Sequence, residues 1–213
     1  MSKPWLQSYP EGVPAEISID EYASVADIFD QSVCKYEELP AYSNFGKTIS
    51  YKEVKEFTSQ LGAYLKHELG LEKGAKVAVM MPNLLQNPVA IFGILRAGMV
   101  VVNTNPLYTS RELKHQMNDS GAEAIIIVEN FCHVLEEVID ETPINHVIVT
   151  RMGDMLPFPK STIINFVVKR IKKMVPGYKL PGAVAFNKAL KLGSQHRFET
   201  VPTSHDDIAF LKY

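Results

Sequence analysis

The chain has 213 residues, 46% of them apolar and 22% charged, with a net charge of −2. These proportions exclude disordered, collagenous and disulfide-scaffold classes, and the length allows one or two domains with a core that needs no staples. Cys34 and Cys132 lie far apart, outside any CxxC or Cys/His spacing, so they form neither a metal knuckle nor a disulfide framework and fit a reduced, cytoplasmic setting.

Residues 1–10 hold no apolar run of the kind a secretory signal needs. The most apolar stretch, residues 89–102, contains Arg96 and is too short to span a bilayer. Charge is unevenly placed: residues 155–198 hold nine Lys and Arg and no Asp or Glu. That stretch therefore favours an anionic neighbour or a solvent-facing cationic surface. Nothing points to nucleic acid.

In chain order, residues 1–23 read as a proline-rich lead-in strap and residues 24–213 as one α/β subdomain. Ser24 caps a helix bearing Val25, Ile28, Phe29 and Val33. Alternating runs at 41–45 and 48–51 flank Gly46-Lys47 and predict a hairpin over 41–51. Val54, Phe57, Leu61, Tyr64 and Leu65 share one face of a second helix that stops at Gly70.

Four runs rich in valine and isoleucine follow, at 77–81, 99–102, 124–128 and 147–149. Each is separated from the next by a helix-sized segment. Because they barely alternate, they predict strands buried on both faces, as in a mostly parallel sheet flanked by helices and built from consecutive βαβ units. The helix between 84 and 97 must hold Pro88 in its first turns. Thr109-Ser110-Arg111-Glu112 matches a capping box and Ser120-Gly121 a stop. Asn130 precedes Phe131, Val134, Leu135, Val138 and Ile139 at helical spacing.

The turn after Met81 reads Pro82-Asn83-Leu84, without the glycines that a dinucleotide fingerprint or a P-loop places there. His115 and Asp119 sit one helical turn apart, and His205 precedes Asp206 and Asp207, but neither pair gains a third convergent ligand. No G-x-S-x-G elbow occurs. These residues contain no complete catalytic set.

Residues 163–175 predict a basic amphipathic helix. Ile163, Ile164, Val167, Val168, Ile171, Met174 and Val175 lie on one face, Lys169, Lys172 and Lys173 opposite, and Arg170 near the apolar edge. Pro176-Gly177 ends it. Two readings stand: the helix lies on an anionic membrane surface through Lys169, Arg170, Lys172 and Lys173, or its apolar face packs inward and the cations are merely solvated.

The segments Lys76-Val-Ala-Val-Met-Met-Pro-Asn-Leu-Leu-Gln86, Phe92-Gly-Ile-Leu-Arg-Ala-Gly98, Asn105-Pro-Leu-Tyr-Thr109, Arg111-Glu-Leu113 and Asp119-Ser-Gly121 together closely resemble the amino-terminal part of bacterial long-chain fatty acid-CoA ligases. The similarity runs from Trp5-Leu6 and Tyr9-Pro10 to Ala209-Phe-Leu-Lys-Tyr213. The resemblance implies the fold of the adenylate-forming superfamily and a two-step reaction. A fatty carboxylate attacks the α-phosphate of ATP with Mg²⁺ assistance, and coenzyme A then displaces AMP from the acyl-adenylate.

In that family a Thr-Gly-Gly-Thr-Thr-Gly-x-x-Lys-Gly loop follows the strand that corresponds to residues 207–213. The 213 residues hold neither this loop nor the later adenine-binding motifs and mobile domain, so they read as an amino-terminal fragment, inactive alone, with no ATP, Mg²⁺ or CoA held tightly. No catalytic residue carries over. Tyr213, beside the place of the loop, is the one residue the resemblance puts at the nucleotide site; its alternative is a plain strand position. The turns 82–83 and 105–109 could face a ligand or simply cap the scaffold. A non-catalytic lipid-surface or protein-interaction module is the rival function, and pairing of such a fragment would say little about the native oligomer.

Overall fold

The computed structural model describes residues 3–213. The strap reading at residues 1 and 2 lies outside them; residues 3–23 run along the surface with none buried. Ser24 opens α1 (Val25–Lys35) by accepting from the Asp27 amide at 3.2 Å.

The hairpin pairs β1 (Pro40–Asn44) with β2 (Lys47–Ser50) antiparallel. Its two-residue turn is Phe45-Gly46, one residue earlier than expected, with φ of 48° and 71°. A turn of this length needs positive φ at both central residues to follow the strand twist, and Lys47 is already paired with Asn44. Ser50 and Glu53 form a capping box for α2 (Tyr51–Ala63), which continues through one π turn, Tyr64–Glu68, to Gly70.

The βαβ run then follows: β3 (Lys76–Met80), α3 (Gln86–Arg96), β4 (Val100–Asn103), α4 (Ser110–Ser120), β5 (Ala124–Val128), α5 (Cys132–Glu136) and β6 (His146–Thr150). Pro88 is third in α3, where an N–H would have no helical acceptor anyway. The helix expected after Asn130 is broken into a 3₁₀ turn, the short α5 and a second 3₁₀ turn. Asn130 does not cap it: its Oδ1, the atom a cap would use, accepts no hydrogen bond from the described residues, and its Nδ2 donates to the Met174 carbonyl at 2.9 Å.

The basic segment also departs from its predicted bounds. Here α6 (Lys160–Phe166) runs into a π turn that ends at Ile171, and Lys173 turns the chain at φ 52°. Beyond it lie two elements that the sequence reading missed, β7 (Val184–Ala185) and α7 (Phe186–Gly193), before β8 (Phe210–Lys212).

The six later strands form one parallel sheet in the order β7-β6-β5-β3-β4-β8. From β3 the chain steps to β4 on one side, then back across β3 to β5, β6 and β7, and finally returns to β8. Right-handed crossovers in opposite directions put their helices on opposite faces. Accordingly α2, α3 and α7 pack with Val77, Val79, Ile126 and Val128 on one face. On the other, α4 and α5 pack with Ala78, Met80, Ile125 and Ile127. Each central strand is thus buried twice over, which is why its sequence does not alternate.

Candidate functional site at the strand carboxyl ends

Because the links after β3 and β4 leave toward opposite faces, their carboxyl ends open a crevice between them, the usual ligand position in an open parallel sheet. It measures about 310 Å³ and is walled by Asn83, Asn103, Asn105, Tyr108, Lys212 and Tyr213. Asn105 Oδ1 accepts from the Leu107 amide at 3.0 Å, and Thr109 and Glu112 close the predicted capping box behind it. Gln116, wholly buried, holds the Asn103 carbonyl at 3.1 Å. The Asn83 carbonyl accepts from Asn44 Nδ2 at 3.0 Å, tying the hairpin to the crevice.

Tyr213 lines this crevice, and its Oη donates to Asp119 Oδ2 at 2.6 Å. That bond, then desolvation and the Asp119 charge, pushes the phenol up to about 12. The hydroxyl is therefore neutral at physiological pH with its proton already committed. Lys212 contributes an ammonium without a carboxylate partner among the described residues. Amides, a hydroxyl and one cation suit an anionic, hydrogen-bonding ligand. The one nearby carboxylate, Asp119, is engaged by Tyr213, and the described residues hold no group of three His, Cys, Asp or Glu. This chain alone does not fit Mg²⁺, which asks for an octahedral oxygen set.

The crevice shares Asn83, Asn87 and Ile91 with a second, mostly apolar groove of about 520 Å³, walled by Tyr42, Leu85, Phe92 and Phe210. A polar crevice beside an apolar groove matches an amphipathic ligand. Sequence reasoning missed this groove, since its walls come from β1, α3 and β8. A further apolar cavity of about 520 Å³, under the strap between Ile19, Met99 and Ile208, lies at the amino ends of β4 and β8, away from the crevice.

The other predicted site residues fall elsewhere. His205 Nε2 bonds the Tyr22 carbonyl at 2.7 Å, and Asp207 caps the Ser204 amide and pairs with Lys73. Lys169, Arg170, Lys172 and Lys173 lie beyond the carboxyl ends of β5 and β6, apart from Tyr213. Lys169 Nζ reaches the buried Glu129 carboxylate at 3.4 Å, so it is an internal partner as well as a surface cation. Arg170, Lys172 and Lys173 are exposed.

This architecture defines an open, doubly wound α/β protein with a crevice at the topological switch. The chain belongs to the AMP-binding enzyme family, whose model matches residues 29–213. It is 54% identical, over its whole length, to a long-chain-fatty-acid–CoA ligase of Escherichia coli O6:H1, and 48% identical to one of Haemophilus influenzae. It spans 38% of the length of each. A Bacillus subtilis ligase of the same name is 31% identical over 99% of the chain and 37% of its own length. Among solved structures, a long-chain-fatty-acid-CoA ligase from Archaeoglobus fulgidus matches with a TM-score of 0.71 at 23% identity, over 96% of this chain and 36% of that one. An anthranilate CoA ligase in complex with anthranoyl-AMP gives 0.71 at 18% identity, over 90% and 32%. At these identities the structures speak for the fold.

Proposed function

We propose that this chain is the amino-terminal part of a long-chain fatty acid-CoA ligase. The intact protein uses ATP to convert a fatty acid to its acyl-adenylate with release of pyrophosphate, and then transfers the acyl group to the thiol of coenzyme A with release of AMP. The observation that carries the reading is the polar crevice at the β3, β4 and β8 ends lying beside an apolar groove, with Asn83, Asn87 and Ile91 as their common wall. A fatty acid has that polarity, a charged head on a long hydrocarbon tail. Burying each methylene contributes about 0.8 kcal/mol, so the groove supplies affinity while the crevice fixes the reacting end. Lys212 faces the anionic groups that meet there, and the Asn83 and Asn105 turns form the rigid rim.

The second half of the reading is that these residues form only a wall of the site and are inactive by themselves, since the sequence holds no phosphate-gripping loop. Oleate-dependent pyrophosphate release from ATP tests both halves. It is expected from the longer protein that contains this chain and absent from the 213 residues alone. A longer protein without oleate-dependent release overturns the ligase reading, and activity in the 213 residues overturns the division of labour.

A further inference from the structure

The sulfur of Cys34 and the amine of Lys55 meet where α1 packs on α2. Lys55 Nζ donates to Cys34 Sγ at 3.6 Å. It has no carboxylate partner among the described residues, whereas Lys47 pairs with Glu53, and Lys52 with Glu37 and Glu38. The backbones that carry the two groups are fixed. Val33 and Val54, their neighbours in sequence, are wholly buried in one cluster with Phe29, Ile49 and Leu85. The Lys55 carbonyl accepts from Thr58 Oγ1, Ser59 Oγ and Arg96 Nη1. The contact is therefore set by the packing of two helices inside this chain.

A second cation stands nearby. Burial lowers the Arg96 guanidinium, while Asp30 and then Cys34 act in the opposite direction. Asp30, one turn back on α1, is itself paired with Arg96. Cys34 thus has an ammonium in contact and a guanidinium within electrostatic reach. The thiolate is the form that peroxides oxidise. Cys34 is exposed, and peroxide, little larger than water, needs only a small opening to reach it.

We propose that Cys34 and Lys55 form a sulfenamide link under hydrogen peroxide, a reversible covalent staple between α1 and α2. In the first step the Cys34 thiolate attacks peroxide: an S–O bond forms, the O–O bond breaks, and the hydroxide released takes a proton from solvent to become water. Sulfur gives up an electron pair and becomes the sulfenic acid, while the peroxide is reduced. In the second step the Lys55 amine, having lost one proton to solvent, attacks that sulfur. The S–N bond forms, the S–O bond breaks, and hydroxide leaves with a further amine proton as a second water. An added thiol reverses the link by displacing the amine from sulfur.

The staple bears on the hairpin. Residues 35–54 hold all of β1 and β2, whose Tyr42 lines the apolar groove and whose Asn44 holds the Asn83 carbonyl. Closing that loop removes freedom chiefly from the opened chain, and so secures the hairpin on the scaffold.

This inference does not rest on the ligase reading, and its test reads chemistry alone. The full-length protein is treated with hydrogen peroxide, alkylated with iodoacetamide and digested for mass spectrometry. The expected product is a peptide pair joined through Cys34 and Lys55, lighter than its separate parts by the pair of hydrogens that oxidation removes, and lost on adding dithiothreitol. Lys55→Arg keeps the cation and is expected to keep the thermal midpoint of the unoxidised protein. In it the joined pair is expected to vanish, and dimedone to capture more Cys34 as sulfenic acid than in the parent. A parent protein that yields Cys34 only as free thiol or sulfinic acid overturns the proposal. So does a dithiothreitol-reversible Cys34 product that is the same in Lys55→Arg.

Discussion

Arg96 and Asp30 are joined by charge and not by a hydrogen bond. Arg96 Nε lies 2.9 Å from Asp30 Oδ1, yet its N–H donates to Thr200 Oγ1 at 3.2 Å, while Thr200 in turn donates to Asp30 Oδ2 at 2.7 Å. The guanidinium also donates to the Lys55 carbonyl, Thr58 and Ser59. Phe29 and Phe198 lie within 6 Å of it. At 5% exposure it is the polar hub that ties α1, α2 and α3 to residues 198–200.

Removing the cation leaves these acceptors buried. Arg96→Ala is expected to destabilise by about 3 to 5 kcal/mol, read as a lower urea midpoint at unchanged slope. Asp30→Asn costs less, since the Asp30 side chain keeps 31% of its surface in water.

Gly193 sets how closely α7 approaches α2. A Cβ there would land on the Gln60 carbonyl, 2.8 Å from its carbon and 3.0 Å from the Tyr64 nitrogen, all of it helix backbone that cannot step aside. Gly→Ala in a free helix stabilises by up to about 1 kcal/mol. Here the sign reverses: Gly193→Ala is expected to cost at least about 2 kcal/mol by overpacking, seen as a lower thermal midpoint. Gly182→Ala, strained at φ 82° but with open space around it, isolates the backbone cost for comparison.

What could be read from the sequence followed from how local each signal is. The strands β3 to β6 were legible because burial on both faces leaves continuous apolar runs, and the Thr109 box because its parts lie three residues apart. The turn at Phe45 was misplaced because Phe at positive φ has no sequence signature. The helix after Asn130 was overextended because Asn130 lies inside the 3₁₀ turn Glu129–Phe131 instead of capping a helix, and its side-chain nitrogen is held by Met174, 44 residues away. Spacing in Phe186, Ala189, Leu190 and Gly193 could have revealed α7. The crevice was reached only through Tyr213 and the family resemblance, and the groove not at all, since Tyr42, Phe92 and Phe210 meet only in three dimensions. Phe166, exposed on α6 like Ile163, was absent from the apolar face read by periodicity.

Three carboxylates make the fold acid-sensitive. Glu53 and Glu112 sit below their ordinary 4.5, chiefly because the Ser50 and Thr109 amides donate to them. Asp207 sits below 3.8 through the Ser204 amide and then Lys73. A depressed folded pKa means that the fold favours the ionised form. The stabilisation is complete above the ordinary values and drains as pH falls through them toward the lower folded ones. Thermal midpoints are expected to hold at neutral pH and drop below about pH 4.5. Glu112→Gln is expected to lower the neutral plateau and shallow the acid limb; an unchanged limb would show that Glu112 contributes nothing to it.

The two cysteines give a direct reading of whether α5 is packed as described. Cys34 is exposed, with Lys55 Nζ 3.6 Å from its sulfur. Cys132 is fully buried at the start of α5, and its thiol is pushed up to about 12, first by burial and then by the Glu129 charge. Since the thiolate is the reacting form, an aromatic disulfide reagent at neutral pH is expected to titrate one thiol quickly in the folded protein and both in denaturant. Cys34→Ser should remove the fast phase entirely. A second fast thiol in the folded protein would mean that α5 opens readily and that Glu129, which anchors Lys169 from the same turn, does not hold the basic segment in place.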